Sequence, residues 1–265
     1  YMHPYWYLDP RGVLCDSSMT NARADFAGLD GARAERFAAR VRENMLAHGG
    51  SKYDQPAREG AVGQGHIAVF LQGMGDPVLR NMHMLETEML DCVMRHRGRR
   101  RVIIKPHPKW PDTLASAYAE KLAADHEAVT LVDANVHDML QDAYCSVSIC
   151  SGASFEGLFH RVPAVLFGRS DFGACAWTVK TEAEAGRALR GIRSVPFEFD
   201  RFVFWFLRRK MFNAKLPNIA ELVLSRIEKT GFSLGVGVEE LQAGQGPQVR
   251  QRPAARDKAK RQTRE

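Results

Sequence analysis

The sequence predicts an α/β protein built around a doubly wound parallel sheet. The first observation is a set of short, continuous apolar runs, the mark of strands buried on both faces: His66–Leu71, Arg101–Lys105, Val129–Val132, Cys145–Cys150 and Ala164–Phe167. The second is that stretches of helical periodicity separate these runs, which favours parallel pairing through crossover helices. The third is that glycines, prolines and small polar residues gather where the runs end. In such sheets ligands sit beyond the carboxyl ends of the strands. The predicted core is therefore Rossmann-like, and its strand ends are where function is sought.

Taken in order, residues 1–20 are aromatic and turn-rich, with Tyr5, Trp6 and Tyr7 ahead of Asp9-Pro10-Arg11-Gly12. Residues 21–48 space Phe26, Leu29, Phe37, Val41 and Leu46 as a helix that Gly49-Gly50 ends. A polar linker covers 51–65. The first buried strand follows, broken by Gly73 and Gly75, and residues 78–96 read as a methionine-rich amphipathic helix. The second strand ends on Lys105 and is closed by Pro106 and Pro108. Helices are then expected over Leu114–Asp125, Val136–Asp142 and Ser154–His160, between the remaining strands. Phe197–Phe212 combines aromatics with Arg208, Arg209 and Lys210 as an amphipathic helix, suited either to packing on another lobe or to an anionic inner leaflet. These boundaries divide the chain into an amino-terminal segment (1–60), a Rossmann-like domain with closing helices (61–232) and a basic tail (233–265).

Composition narrows the function classes. The 265 residues carry a net charge of +6, yet Arg250–Glu265 alone hold seven Lys or Arg against two acids. That segment lacks the apolar surface needed to order itself, so the basic balance says little about nucleic acid. A solvated tail and an anchor on an anionic surface are its two readings. No apolar run approaches the length of about 18 residues needed to span a bilayer. Cys15, Cys92, Cys145, Cys150 and Cys175 are odd in number and scattered, which fits reduced thiols in the cytoplasm. Residue 1 is a tyrosine, and the expectation is that a first lobe is incomplete in this chain.

Three strand-end corners carry polar chemistry. In Gln72-Gly73-Met74-Gly75-Asp76 the glycines allow close backbone approach, and Asp76 reads as either a helix cap or a catalytic carboxylate. In Lys105-Pro106-His107-Pro108 the prolines restrict the backbone and hold a cation and an imidazole in one orientation, an arrangement suited to a phosphate diester. In Cys150-Ser151-Gly152-Ala153-Ser154-Phe155-Glu156-Gly157 a small turn opens a helix, which serves either as an anion site or as an ordinary cap with Glu156 as dipole partner. Asp133-Ala134-Asn135-Val136-His137-Asp138 ends another strand and reads as structural, with Asn135 as cap. No Walker lysine, dinucleotide fingerprint or hydrolase elbow is present.

The corners at 104–108, 133–140 and 151–158, followed by Val162-Pro163-Ala164-Val165, occur in an order that resembles the bacterial capsule polysaccharide biosynthesis and export proteins. That family includes the retaining transferases of 3-deoxy-manno-octulosonic acid (Kdo). Gly12–Asp16, Ser51–Asp54 and the Gln72/Asp76 pair are also similar, and the resemblance covers roughly 8–215. It implies a GT-B-type architecture with the donor in the carboxyl-terminal lobe, CMP-Kdo as donor, and no metal or other cofactor. It further implies that Lys105 and His107 contact the cytidylate phosphate, that Ser151 and Gly152 form the turn beside it, and that Glu156 holds the ribose. Asp76, with Gln72, would work at the sugar as nucleophile or electrostatic partner. The implied partners are a nucleotide-sugar donor and a glycolipid or oligosaccharide acceptor, with capsule-assembly or peripheral inner-membrane contact and no nucleic acid. A nucleotide-sugar epimerase and a non-catalytic export component are the alternatives.

Overall fold

The structure is a computed structural model, and it describes residues 2–48, 50–73 and 80–232. The elements in chain order are β1 (Tyr5–Trp6), α1 (Gly31–His48), β2 (Ile67–Phe70), α2 (Glu86–His96), β3 (Val102–Lys105), α3 (Leu114–Asp125) and β4 (Val129–Leu131). They continue through α4 (Val136–Leu140), β5 (Cys145–Ser148), α5 (Gly152–Gly157), β6 (Ala164–Leu166), β7 (Trp177–Thr178) and α6 (Glu182–Gly191). Next come α7 (Phe199–Phe204), a π-helical turn over Trp205–Lys210, and β8 (Phe212–Asn213). Residues up to Ile219 make one compact unit; the next begins at Ala220 and holds most of α8 (Ile219–Glu228).

The main sheet has six parallel strands in the order β4-β3-β2-β5-β6-β7. From β2 the chain winds outward through β3 and β4, then returns beside β2 as β5 and winds the other way. The reversal between β2 and β5 opens the crevice where doubly wound sheets bind ligands. Side chains alternate across the sheet. Ile67, Val69, Val102, Ile104 and Val147 point to one layer, packed by Met89, Leu90 and Val93 of α2, Ala119 of α3 and Leu189 of α6. Ala68, Phe70 and Ile103 point to the other, under Val136, Met139 and Leu140 of α4. Ala164 and Leu166 on that face meet Phe155 of α5 and the aromatic side chains of α7. With helices on both faces, the strands need no polar face, which is why their sequences read as continuous apolar runs.

Two expected helices begin later than their periodicity suggested. Residues 22–30 are not helical; α1 starts at Gly31, where the Asp30 carboxylate accepts the Ala32 N–H at 2.9 Å. Of the helix expected over 78–96, residues 78 and 79 lie outside the described residues and α2 starts at Glu86. The preceding backbone is used otherwise: Met82 bridges Gly168, and His83 donates to the Phe167 carbonyl at 2.7 Å. The Glu88 side chain then accepts the Leu85 N–H at 2.8 Å and caps the start.

The Phe197–Phe212 stretch also differs from one continuous amphipathic helix. Phe202, Val203, Trp205, Phe206 and Leu207 are buried, and Phe204 meets Phe37 of α1 edge-on at 5.4 Å. These aromatic side chains fill the core beneath α1, so they are not the face that meets another lobe or a leaflet. The basic residues after them, Arg208 and Arg209, stay exposed. β1 pairs antiparallel with β8, which ties the amino-terminal segment to the same region. The tail from residue 233 lies outside the described residues. No helix among the described residues is long and apolar enough to cross a membrane.

Candidate functional site

Beyond the carboxyl ends of β2, β3 and β5 lies a cleft with about 1040 Å³ of empty space, open to solvent. Lys105, His107, Ser151, Gly152, Glu156 and Gln72 all line it, so the structure brings together every sequence-predicted residue it describes. Asp76 lies outside the described residues.

Gln72 follows β2, and its side chain crosses the crevice. Its Oε1 accepts the Cys150 N–H at 2.7 Å, and its Nε2 lies 3.6 Å from the Cys150 Sγ. Its own N–H donates to Glu86 Oε1 at 2.5 Å. The amide is thus committed to holding the ends of β2 and β5 together. Burial pushes the Glu86 carboxyl up to about 7, against the hydrogen bond from Gln72.

Lys105 closes β3 at 5% exposure. Its Nζ donates to Asp133 Oδ1 at 2.6 Å, and the Asp133 side chain is 86% exposed. The ammonium is therefore held at the cleft by a partner that water screens well. After Pro106 the chain makes a tight turn in which Trp110 N–H donates to the His107 carbonyl at 3.1 Å. His107 Nδ1 accepts the Lys109 N–H at 3.1 Å, so a neutral ring carries its proton on Nε2. The ring is fixed on two sides, edge to Tyr53 at 5.1 Å and against Trp110 at 4.7 Å. Trp110 in turn lies on Gly73, where a Cβ would fall 2.2 Å from the indole. Glycine is needed there for close approach, which joins the first two corners into one wall.

The third corner is a network of small hydroxyls. Ser148 Oγ and Ser154 Oγ are 2.8 Å apart, and Ser151 N–H donates to Ser148 Oγ at 3.1 Å. Ser151 Oγ caps α5 by accepting the Ala153 N–H at 3.3 Å. Over Gly152 there is room: a Cβ would meet only the Lys52 Cδ, at 3.8 Å. Glu156 is 3% exposed. Its Oε1 accepts the Ser51 hydroxyl at 2.9 Å and the Lys52 N–H at 3.3 Å, whereas Oε2 is buried without a hydrogen-bond partner. Burial pushes this carboxyl up to about 7, against both bonds and the nearby Lys52 charge. An orphaned, buried oxygen lining a cleft is an unfilled acceptor.

Several cleft residues were not singled out individually by sequence reasoning. Tyr53 carries Lys52 Nζ at 5.2 Å and Lys109 Nζ at 5.0 Å over its ring. Across the cleft, Asp171 accepts from Ser170 Oγ at 3.2 Å and from the Tyr7 hydroxyl at 3.4 Å. Burial, then the Asp171 charge, raises the Tyr7 phenol and keeps it a donor. Arg169 donates to the Asn81 side chain. Only the Ser51–Asp54 motif pointed toward any of these; the others arrive from distant sequence.

The cluster at 133–138 is structural beyond its first residue. Asn135 Oδ1 accepts the His137 N–H at 2.9 Å. Asp138 accepts from Arg58 Nε at 2.7 Å and from the N–H groups of Glu59 and Gly60 at 2.7 and 3.1 Å, which pins the linker. His137 bridges His160 and the Gly50 carbonyl, each at 3.0 Å. Among the described residues no group of three His, Cys, Asp or Glu is arranged to hold a metal ion.

The fold and the cleft at its reversal point define a class: an α/β, Rossmann-like lobe of GT-B type. Among solved structures its neighbours include Kdo transferases and a nucleotide-sugar epimerase. Thermosulfurimonas dismutans KpsC, a β-Kdo 2,7 transferase, superposes with a TM-score of 0.50 at 18% identity, covering 84% of this chain and 73% of that one. A second KpsC structure from the same organism, a β-Kdo 2,4 transferase, gives 0.46 at 20% identity, covering 69% of this chain. This chain spans 64% of that protein's length. A Methanocaldococcus jannaschii UDP-GlcNAc 2-epimerase gives 0.37 at 11% identity, covering 76% of this chain and 52% of that one. No protein-family model matches the sequence, and a search of curated proteins found no match.

Proposed function

We propose that the protein is a glycosyltransferase of capsule polysaccharide assembly, with CMP-Kdo as donor and a lipid-linked or oligosaccharide acceptor. The observation that carries this reading is the convergence, in one cleft, of a strand-end lysine and histidine with a buried carboxyl that has one unfilled oxygen. Lys105 Nζ and the His107 Nε2–H bind the phosphate diester, and the open space over Gly152 admits it. Glu156 Oε2 accepts a ribose hydroxyl, which also offsets the cost of its burial. Gln72 holds the two strand ends that frame the crevice. Asp76 is assigned the sugar: its carboxylate adds to the anomeric carbon as CMP leaves, and the acceptor hydroxyl then displaces it and passes its proton to the released CMP phosphate. The fold shared with the β-Kdo 2,7 transferase and the family resemblance both support the Kdo donor; a second lobe would supply the acceptor side.

Calorimetry with CMP and a CMP-release assay with CMP-Kdo test this. The double variant Lys105→Ala/His107→Ala should bind CMP roughly 10–100-fold more weakly, the loss expected for charge-assisted hydrogen bonds. Asp76→Ala should keep CMP affinity and lose turnover. Unchanged CMP affinity in the double variant would remove the phosphate site and favour a non-catalytic assembly component. Full turnover in Asp76→Ala would remove the nucleophile.

A further inference from the structure

A second concave site lies on the packed pair of α1 and the α7–π-helical segment, and it shares no residue with the cleft. It is lined by Arg33, Phe37, Arg40, Phe204 and Arg208, with about 440 Å³ of empty space open to solvent. The sequence builds it by helical spacing. Arg33, Phe37 and Arg40 stand at i, i+4 and i+7 on α1, and Phe204 and Arg208 at i and i+4 on the facing element. The phenylalanines point inward, each 9% exposed, and edge together. The arginines stay at the surface. Arg33 lies over the Phe204 ring at 5.7 Å and Arg208 over the Phe37 ring at 5.9 Å, so each guanidinium rests on the ring of the opposite helix. Arg40 completes the lining beside Arg33 and Arg208.

Packing alone does not account for the charge. Nearby arginines are neutralised: Arg42 and Arg161 pair with Asp200, and Arg201 pairs with Glu198. Among the described residues, Arg33, Arg40 and Arg208 meet no carboxylate within ion-pair distance. Arg209 and Lys210 continue the positive surface directly after Arg208. Three guanidinium groups line one concavity, two of them over aromatic rings, and among the described residues no carboxylate pairs with them. A tetrahedral oxyanion of high charge density suits their donor forks.

We propose that this groove is a phosphate-binding site, with Arg33, Arg40 and Arg208 as its ligands. Phosphate of this kind comes either free or esterified, or as the headgroup of an anionic lipid. The test uses the full chain and two probes: inorganic pyrophosphate by calorimetry, and vesicles of phosphatidylglycerol in phosphatidylcholine by co-sedimentation. The triple variant Arg33→Gln/Arg40→Gln/Arg208→Gln is compared with Arg99→Gln/Lys121→Gln/Arg187→Gln, which removes equal charge elsewhere. Each basic residue at an anionic surface is worth roughly fivefold in partitioning. The groove triple should therefore lose about a hundredfold in binding to at least one probe, and the control triple less than about fivefold. Loss with pyrophosphate assigns a soluble phosphate; loss with vesicles alone assigns the lipid headgroup. Arg208→Lys, which keeps the charge and the fold but loses the fork, should fall between wild type and the triple. Both variants share an intact cleft and tail, so affinity from those regions cancels, and CMP binding should be unchanged. Equal losses in the two triples, or no loss in the groove triple with either probe, would overturn the proposal.

Discussion

Replacing Glu156 by glutamine isolates the buried ionisation at the centre of the cleft. The side chain keeps its shape, and Ser51 and Lys52 N–H still find an oxygen. What disappears is a carboxyl whose affinity for protons burial raises from the usual 4.5 to about 7. Between those two values the folded wild type binds a proton that the unfolded chain has released, so its stability falls as pH rises. The contribution is fully present below about pH 4.5 and is lost as pH passes through 7. Each pH unit in that window is worth about 1.4 kcal/mol. The stability of wild type relative to Glu156→Gln should therefore drop by about 3 kcal/mol from pH 4.5 to 8 and be flat above that. Urea unfolding of both proteins at pH 5, 6, 7 and 8 reads this difference. Glu86 and the buried histidines His66, His137 and His160 titrate in both proteins, so their contributions cancel. A difference that stays constant from pH 5 to 8 would refute the buried, half-satisfied carboxyl.

Two further outcomes probe the walls. Gly73→Ala puts a Cβ 2.2 Å from the Trp110 indole, so that ring must move and His107 loses its neighbour; a destabilisation of about 1–3 kcal/mol, a shifted tryptophan emission and weaker CMP binding are expected, and an unchanged emission spectrum would contradict the contact. Asp138→Asn removes the charge that Arg58 and two backbone N–H groups share, for a loss of about 1.5–3 kcal/mol in chemical unfolding at neutral pH. Burial alone would raise the Asp138 carboxyl, yet these partners hold it below its ordinary value of 3.8. Its contribution is present above that value and is lost as acid takes the pH through the lowered one, so the two proteins should converge in strong acid.

Much of the fold was legible because parallel strands covered on both faces must be apolar throughout. Val102–Lys105 and Cys145–Ser148 stand out in sequence for that reason, and their adjoining corners follow from the rule that ligands sit at strand ends. The start of α2 was not legible. Met82 and His83 fit a helical pattern, but their backbone pairs with Phe167 and Gly168, about 85 residues away, and the long-range bonds override local preference. The Phe197–Phe212 stretch reads as amphipathic because periodicity records which side is apolar, not what covers it; α1 supplies the cover.

Sequence by itself determined the α/β class and the corners at Gln72, Lys105–His107 and Ser151–Glu156. These are local properties, set by hydrophobic period, proline restriction and residue chemistry. Tertiary structure alone decided that Gln72 clamps Cys150, that Trp110 seats on Gly73, and that Ser51 and Lys52 satisfy one oxygen of Glu156 and leave the other open. It also brought Arg33 and Arg40 of α1 beside Arg208. Each of these joins residues tens to well over a hundred positions apart, whose meeting depends on strand order and helix packing rather than on either neighbourhood in the chain.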